Sequence, residues 1–258
     1  MTTATSLERV ELAEFAFDRL SEAELIGHIV SESRSGEGGW VAPVNIDVCR
    51  KARKDPAARA LVAGATLIVP DGMPLIWAAR LRGRPFTERV TGSSLIFSLS
   101  EAAARHDRTI YLLGGAPGVP EAAADALTRR YPRLKVAGAY SPPFGFDSSP
   151  AGLAEVRERL TRAMPDIVYV GLGFPKQERL TAQLTSTLPH AWFICCGAAI
   201  PFAAGTLTRA PGWMQRTGLE WMHRLLSEPR RLFRRYLLED LPYAVRLLFS
   251  SAAARITR

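Results

Sequence analysis

Asp166-Ile167-Val168-Tyr169-Val170-Gly171-Leu172-Gly173-Phe174-Pro175-Lys176-Gln177-Glu178 runs from an apolar, β-branched stretch into two glycines and then three polar side chains. It reads as a strand that ends in a ligand-facing loop. Gly171 and Gly173 let the backbone approach a ligand, Pro175 fixes the exit, and Lys176 and Gln177 offer a cation and an amide just past the strand end. Ligands of open α/β sheets bind at such ends. An ordinary glycine turn before a helix has the same pattern, so the rest of the chain must separate the two readings.

Similar apolar runs recur, each closed by glycine or proline: Thr66 to Val69, Thr109 to Leu113, Leu134 to Ala137, Ile167 to Val170 and Ala191 to Cys195. They read as buried parallel strands. Between them, stretches such as Glu121 to Tyr131 and Leu153 to Ala163 have the spacing of amphipathic helices. Strand alternating with helix predicts an α/β fold with a doubly wound, mostly parallel sheet. A core over residues 1–206 is expected, its first 39 residues a helical segment ending at Gly36-Glu37-Gly38-Gly39 and its first sheet segment Trp40 to Asn45.

After Gly205 the pattern becomes Trp, Leu and Arg at helical spacing, interrupted by Pro211, Pro229 and Pro242. Residues 207–258 are therefore expected to form a helical appendage with ten arginines and no lysine against four acids, which holds +6 of the chain's net +8. That excess calls for an anionic partner: phospholipid, nucleic acid or a phosphorylated substrate. A helix starting at Ser227-Glu228-Pro229 sets Leu232, Phe233, Tyr236 and Leu237 beside Arg230, Arg231, Arg234 and Arg235. Such a basic amphipathic helix either lies on an anionic bilayer or packs its stripe on the core.

With 258 residues the chain can bury a full core. Its three cysteines, Cys49, Cys195 and Cys196, make a poor disulfide framework and point to a reducing compartment. No apolar run reaches the ~18 residues of a membrane span, and the N-terminus, with Glu8, Glu11 and Glu14, has no signal-peptide pattern. A cytosolic protein, at a membrane surface through its tail, is expected.

Three further loops carry chemistry. Asp71 in Val69-Pro70-Asp71-Gly72-Met73-Pro74 follows a strand and is either a general base or the cap of a helix over Leu75 to Arg82, with Gly72 supplying freedom to turn. Glu88-Arg89-Val90-Thr91-Gly92 offers a cation and a hydroxyl; Arg89 either holds a phosphate or carboxylate or pairs with a surface acid. Leu113-Gly114-Gly115-Ala116-Pro117-Gly118, ahead of a helix near Pro120, aims N–H groups at an anion. It lacks the full Gly-x-Gly-x-x-Gly fingerprint, which favours a sugar nucleotide or other phosphate ligand over a redox cofactor.

Other chemistries lack their residues. No Asp-x-Asp pair is present, and His28, His106, His190 and His223 are scattered, so no metal site is expected. Neither a Gly-x-Ser-x-Gly elbow nor a Gly-x-x-x-x-Gly-Lys-Ser/Thr loop occurs.

Taken in order, these blocks resemble the WecG/TagA/CpsF family of glycosyltransferases (glycosyltransferase family 26) over roughly Trp40 to Tyr236. The resemblance rests on Asn45 with Ala52-Arg53-Lys54-Asp55-Pro56, Pro70-Asp71-Gly72-Met73 with Trp77-Ala78-Ala79-Arg80, and Glu88 to Gly92. It continues through Leu112 to Gly115, Gly171 to Glu178, Arg209-Ala210-Pro211-x-Trp213-Met214, Gly218-Leu219-Glu220-Trp221 and Glu228-Pro229-x-Arg231. It implies a Rossmann-like core and a metal-independent inverting transferase without cofactor. The resemblance also implies that a sugar moves from a UDP-sugar to a polyprenyl-diphosphate-linked glycan at the inner face of the cytoplasmic membrane. By the same resemblance Asp71 is the catalytic base, and Arg89 and Gln177 contact substrate; Asn45, Thr91, Gly92, Gly114, Gly115, Gly171, Gly173, Lys176 and Glu178 of the same loops are expected to line the substrate site. Arg224, Arg231 and Arg234 of the appendage hold the diphosphate and face the membrane. One departure is Pro43, where the family often has Thr. The transferred sugar and acceptor glycan stay open, and a homo-oligomer is compatible.

Two competing readings are a nucleic-acid binder using the basic tail, for which no reader motif is present, and a non-catalytic membrane-bound scaffold of a polysaccharide assembly. No nucleic-acid partner is expected.

Overall fold

The computed structural model describes residues 8–256; residues 1–7 of the expected N-terminal segment and Thr257 and Arg258 of the tail lie outside it. The chain folds as β1 (Arg9–Leu12), β2 (Phe15–Asp18), α1 (Glu22–Ser35), β3 (Gly39–Val44), α2 (Ile46–Lys54), α3 (Pro56–Ala63), β4 (Leu67–Pro70) and α4 (Met73–Leu81). Then come α5 (Gly92–Arg105), β5 (Thr109–Gly114), α6 (Val119–Arg130), β6 (Lys135–Tyr140), α7 (Pro150–Ala163), β7 (Ile167–Gly171), α8 (Lys176–Leu184), β8 (Trp192–Cys195) and α9 (Ala199–Ala203). Four further helices close the chain: α10 (Gly212–Thr217), α11 (Glu220–Ser227), α12 (Pro229–Phe233) and α13 (Leu241–Ile256).

Six strands form one sheet in the order β4-β3-β8-β7-β5-β6, every pair parallel. Alternate side chains feed two cores. Trp40, Ala42, Val44, Val168, Val170 and Phe193 pack on one face, while Val41, Ile167, Tyr169, Trp192 and Ile194 pack on the other. Burial on both faces is why the strands read as continuous apolar runs. This is the expected doubly wound, Rossmann-like α/β fold.

The N-terminal segment expected to be helical opens instead with a β-hairpin, β1 paired antiparallel with β2. Val10, Leu12, Phe15 and Phe17 alternate into the core, and α1 follows with its capping box at Ser21 and Glu24. The buried Asp18 carboxylate accepts the Ile68 N–H at 2.8 Å, so the hairpin covers the β4 edge of the sheet.

Pro242 does not break the last helix as the sequence pattern suggested. Residues 234–240 widen into a π-helical segment, and the Leu241 N–H reaches the Tyr236 carbonyl five residues back. The wider turn gives the proline ring, which would clash with the carbonyl four residues back in a regular helix, room to fit. The expected stripe is also divided: Leu232 is buried and Phe233 is 53% exposed.

A charge network fastens this helix to α2. Arg50 donates through Nε to Asp240 at 2.8 Å and through Nη2 to Asp47 at 2.6 Å, with Glu239 at 2.9 Å. Arg235 lies 3.2 Å from Asp47 and 3.4 Å from Asp240, and Lys51 2.9 Å from Asp47. Removing one partner of a buried network leaves an uncompensated charge. Arg50→Met is expected to cost about 3–5 kcal/mol in urea unfolding; a loss below about 1 kcal/mol would show that the network is dispensable.

Candidate active site

The sheet register sets the site. Val44 of β3 pairs with Pro70 of β4, so Asn45 and Asp71 leave the sheet side by side, and the Asp71 N–H donates to the Val44 carbonyl at 2.8 Å. Gly114 of β5 likewise pairs with Gly171 of β7, which brings the two glycine loops out at one level. These carboxyl ends form the edge where ligands of such sheets bind.

Asp71 is not a helix cap: α4 starts behind Gly72 with no side-chain cap at all. Gly72 itself is extended, at φ 162°, so the turn does not demand glycine's freedom. The carboxyl is partly withdrawn from water, and burial pushes its pKa up to about 6. The Arg89 and Arg224 charges and the Gly92 N–H pull it down, and Glu220 raises it. A carboxylate poised near neutrality is suited to taking a proton from a hydroxyl.

Several expected site residues are engaged within the protein. Asn45 caps α2, its Oδ1 accepting from the N–H groups of Asp47 at 3.1 Å and Val48 at 3.2 Å. Thr91 caps α5, accepting the Ser94 N–H at 3.0 Å. A Cβ at Gly92 would lie 2.8 Å from the Cys196 Cα, and one at Gly171 2.8 Å from the Gly197 carbonyl, so loop-to-loop contact excludes side chains at both. Gly114 and Gly115 have positive φ, and Ser141 donates to the Gly115 carbonyl at 2.8 Å.

Gln177 ties two loops together: its Oε1 accepts from the N–H groups of Gly173 and Gly197, both at 3.2 Å, and its Nε2 donates to Glu178 at 2.9 Å. Burial raises the pKa of Glu178, whose other oxygen has no partner. Lys176 pairs with Asp147 at 2.8 Å and sits over the Phe144 and Phe146 rings.

Arg89 pairs with an acid that is neither near in sequence nor on the open surface: Glu220, 3.2 Å away at the start of α11. Arg209 joins the same carboxylate at 3.5 Å. Arg224, one turn along α11, acts on the Asp71 carboxyl and lies over the Phe202 ring. Arg231 is bidentate to Glu228 at 2.6 and 2.8 Å, and Arg234, 84% exposed, pairs with Glu239. Thus the appendage brings Arg224, Glu220 and Arg209 to the Asp71 and Arg89 edge, and keeps Arg231 and Arg234 on its own acids. The sequence pattern quoted Arg209 and Glu220 without a role for either.

Among the described residues no group of three His, Cys, Asp or Glu side chains could hold a metal ion, and no helix is long and apolar enough to cross a membrane.

Residues 10–256 match the description "Glycosyl transferase WecG/TagA/CpsF family". A Bacillus spizizenii protein, N-acetylglucosaminyldiphosphoundecaprenol N-acetyl-beta-D-mannosaminyltransferase, is 30% identical over 195 residues, 76% of this chain and 74% of its own. A Bacillus subtilis protein of the same name is 30% identical over 211 residues, 82% and 79% of the two chains. The chain therefore belongs to the WecG/TagA/CpsF family of glycosyl transferases.

Proposed function

We propose that the protein transfers a sugar, with inversion and without a metal, from a UDP-sugar to a polyprenyl-diphosphate-linked glycan in bacterial cell-surface or exopolysaccharide biosynthesis. The observation that carries this reading is the Asp71 carboxyl, partly buried at the strand ends and acted on by the charges of Arg89 and Arg224. The relatives' names supply the acceptor chemistry, N-acetylglucosamine on a diphosphoundecaprenol.

The acceptor hydroxyl oxygen attacks the anomeric carbon while Asp71 takes its proton. The bond to UDP breaks, and the leaving diphosphate keeps the electron pair. Its charge is met by Arg89 and Arg224 and by N–H groups of the Gly114-Gly115 loop, which the strand register brings out beside Gly171. Arg231 and Arg234 join only by leaving Glu228 and Glu239.

The described residues past 207 also support a peripheral place on the inner membrane face. Trp213, Leu226, Phe233, Leu238 and Phe249 are 53–75% exposed, in a segment that also carries Arg230 and Arg231 of α12. Exposed apolar side chains in an arginine-rich helical segment suit an anionic interface.

Asp71→Asn is expected to lower turnover by ~10²–10⁴-fold with folding intact, read as UDP release without divalent metal; near-normal release would remove Asp71 from the role. In the wild type kcat/KM should fall as pH drops through about 6, as Asp71 is protonated. A raised carboxyl pKa also means the charged form costs stability above that pH, so Asp71→Asn should raise Tm at pH 7.5; a lowered Tm would show that the charge is stabilised. Leu226→Ser with Phe233→Ser should reduce sedimentation with anionic liposomes; unchanged sedimentation would refute the membrane placement.

A further inference from the structure

We propose that Glu220 is a positioning residue for the transfer: its carboxylate bridges Arg89 and Arg209 and fixes the Arg89 guanidinium at the Asp71 site when the C-terminal helices are docked. The inference rests on the transferase reading above, but its first test does not require turnover.

Each Glu220 oxygen has its own partner. Oε2 lies 3.2 Å from Arg89 Nη1, and Oε1 lies 3.5 Å from Arg209 Nε. The three side chains are only 13–21% exposed. Each arginine is steadied from its other side, Arg89 Nη2 by the Gln215 carbonyl at 3.3 Å and Arg209 Nη1 by the Ser93 carbonyl at 3.1 Å. The carboxylate is thus the common point between a core loop, the start of α5 and the C-terminal segment.

Backbone geometry seats Glu220 there. Gly218, two residues earlier, has φ +81°, and a Cβ on it would lie 2.7 Å from Met73 Cγ and 3.2 Å from Trp77 Cζ2. Met73 begins α4, two residues beyond Asp71. The turn before Glu220 therefore presses on the helix that leaves Asp71. Close seating of this kind fixes a side chain to the sub-ångström tolerance that reacting geometry needs, where a misplacement of about 1 Å can cost ~10²-fold in rate.

The charges around Asp71 make the role measurable. Arg89 faces it from the loop before α5, and Glu220 and Arg224 from α11; Asn45 on α2 is uncharged, and burial pushes the Cys196 thiol, behind Gly92, up to about 12. Removing the Glu220 charge leaves Arg89 and Arg224 unopposed, which lowers the proton affinity of Asp71.

The test compares the wild type with Glu220→Gln, Glu220→Asp and Gly218→Ala. The Asp71 carboxyl is titrated by ¹³C NMR in the ligand-free protein, with Asp71→Asn assigning its signal. Glu220→Gln should move the titration to lower pH, lower kcat by about 10–10²-fold and shift the acid limb of kcat/KM the same way. Glu220→Asp should restore much of both, and Gly218→Ala should resemble Glu220→Gln. An unmoved titration, with or without a loss of rate, would make Glu220 a structural tie only and overturn the proposal; so would a moved titration with kcat unchanged. A titration that moves in a wild type releasing no UDP would uphold the Glu220 contact with Asp71 and count against the transferase reading alone.

Discussion

The contact between Arg50 and the carboxylates of Asp47 and Asp240 is what the arrangement of the site depends on. Taking charges out of water is costly, and the cost is offset here because Arg50, Lys51 and Arg235 face Asp47, Glu239 and Asp240 in balance. Apolar side chains alone would let the helix slide along its groove. A guanidinium donating to two fixed carboxylates has one geometry. Because α2 starts at Asn45, at the end of β3, the network holds the C-terminal helix against the same sheet edge that carries Asp71.

Asp71 experiences opposing fields from Arg89 and from Glu220 and Arg224 of α11. Burial alone would raise its proton affinity further, and two guanidiniums alone would make it a weak base. Burial is the largest influence and pushes the carboxyl up to about 6; Glu220 adds to it, and Arg89 and Arg224 oppose it. An arginine-rich surface can therefore surround a base without stripping it of basicity. The cost is a carboxyl that is partly desolvated for reasons other than stability, as is common where a residue is held for chemistry.

The sheet was legible because buried parallel strands leave continuous apolar runs, and Ile167 to Val170 needs no partner to be read. The hairpin was not. Its turn is Ala13 and Glu14, both at positive φ, without the glycine or asparagine that signals such a turn, and Glu8, Glu11 and Glu14 imitate helical spacing. In the site, Asp71 and the glycine loops could be placed because each follows a strand. The partners of Arg89 could not, since Glu220 lies 131 positions away and only the docked fold joins them. Gln177 was read as a ligand contact from its exposed-looking loop, yet its amide is consumed by two glycine N–H groups, a pairing no local pattern reveals.

Helix α11 draws these strands of argument together. Glu220 and Arg224 lie one turn apart on its inner face, while Met222 and Leu226, also one turn apart, are exposed on the opposite face. Under the proposed function, the same eight residues complete the charge pattern around Asp71 and present apolar surface to the bilayer. Two binding events on opposite sides of one rigid helix are linked: whatever favours the seated position for one favours it for the other by the same free energy. A membrane that holds Leu226 thereby holds Arg224 at the site, and a diphosphate that engages Arg224 strengthens the hold on the membrane. Under the proposed function, solvent-facing apolar residues on α11 would thus be a condition of the site's completeness, and the basic tail would act at the reacting bond as well as at the lipid surface.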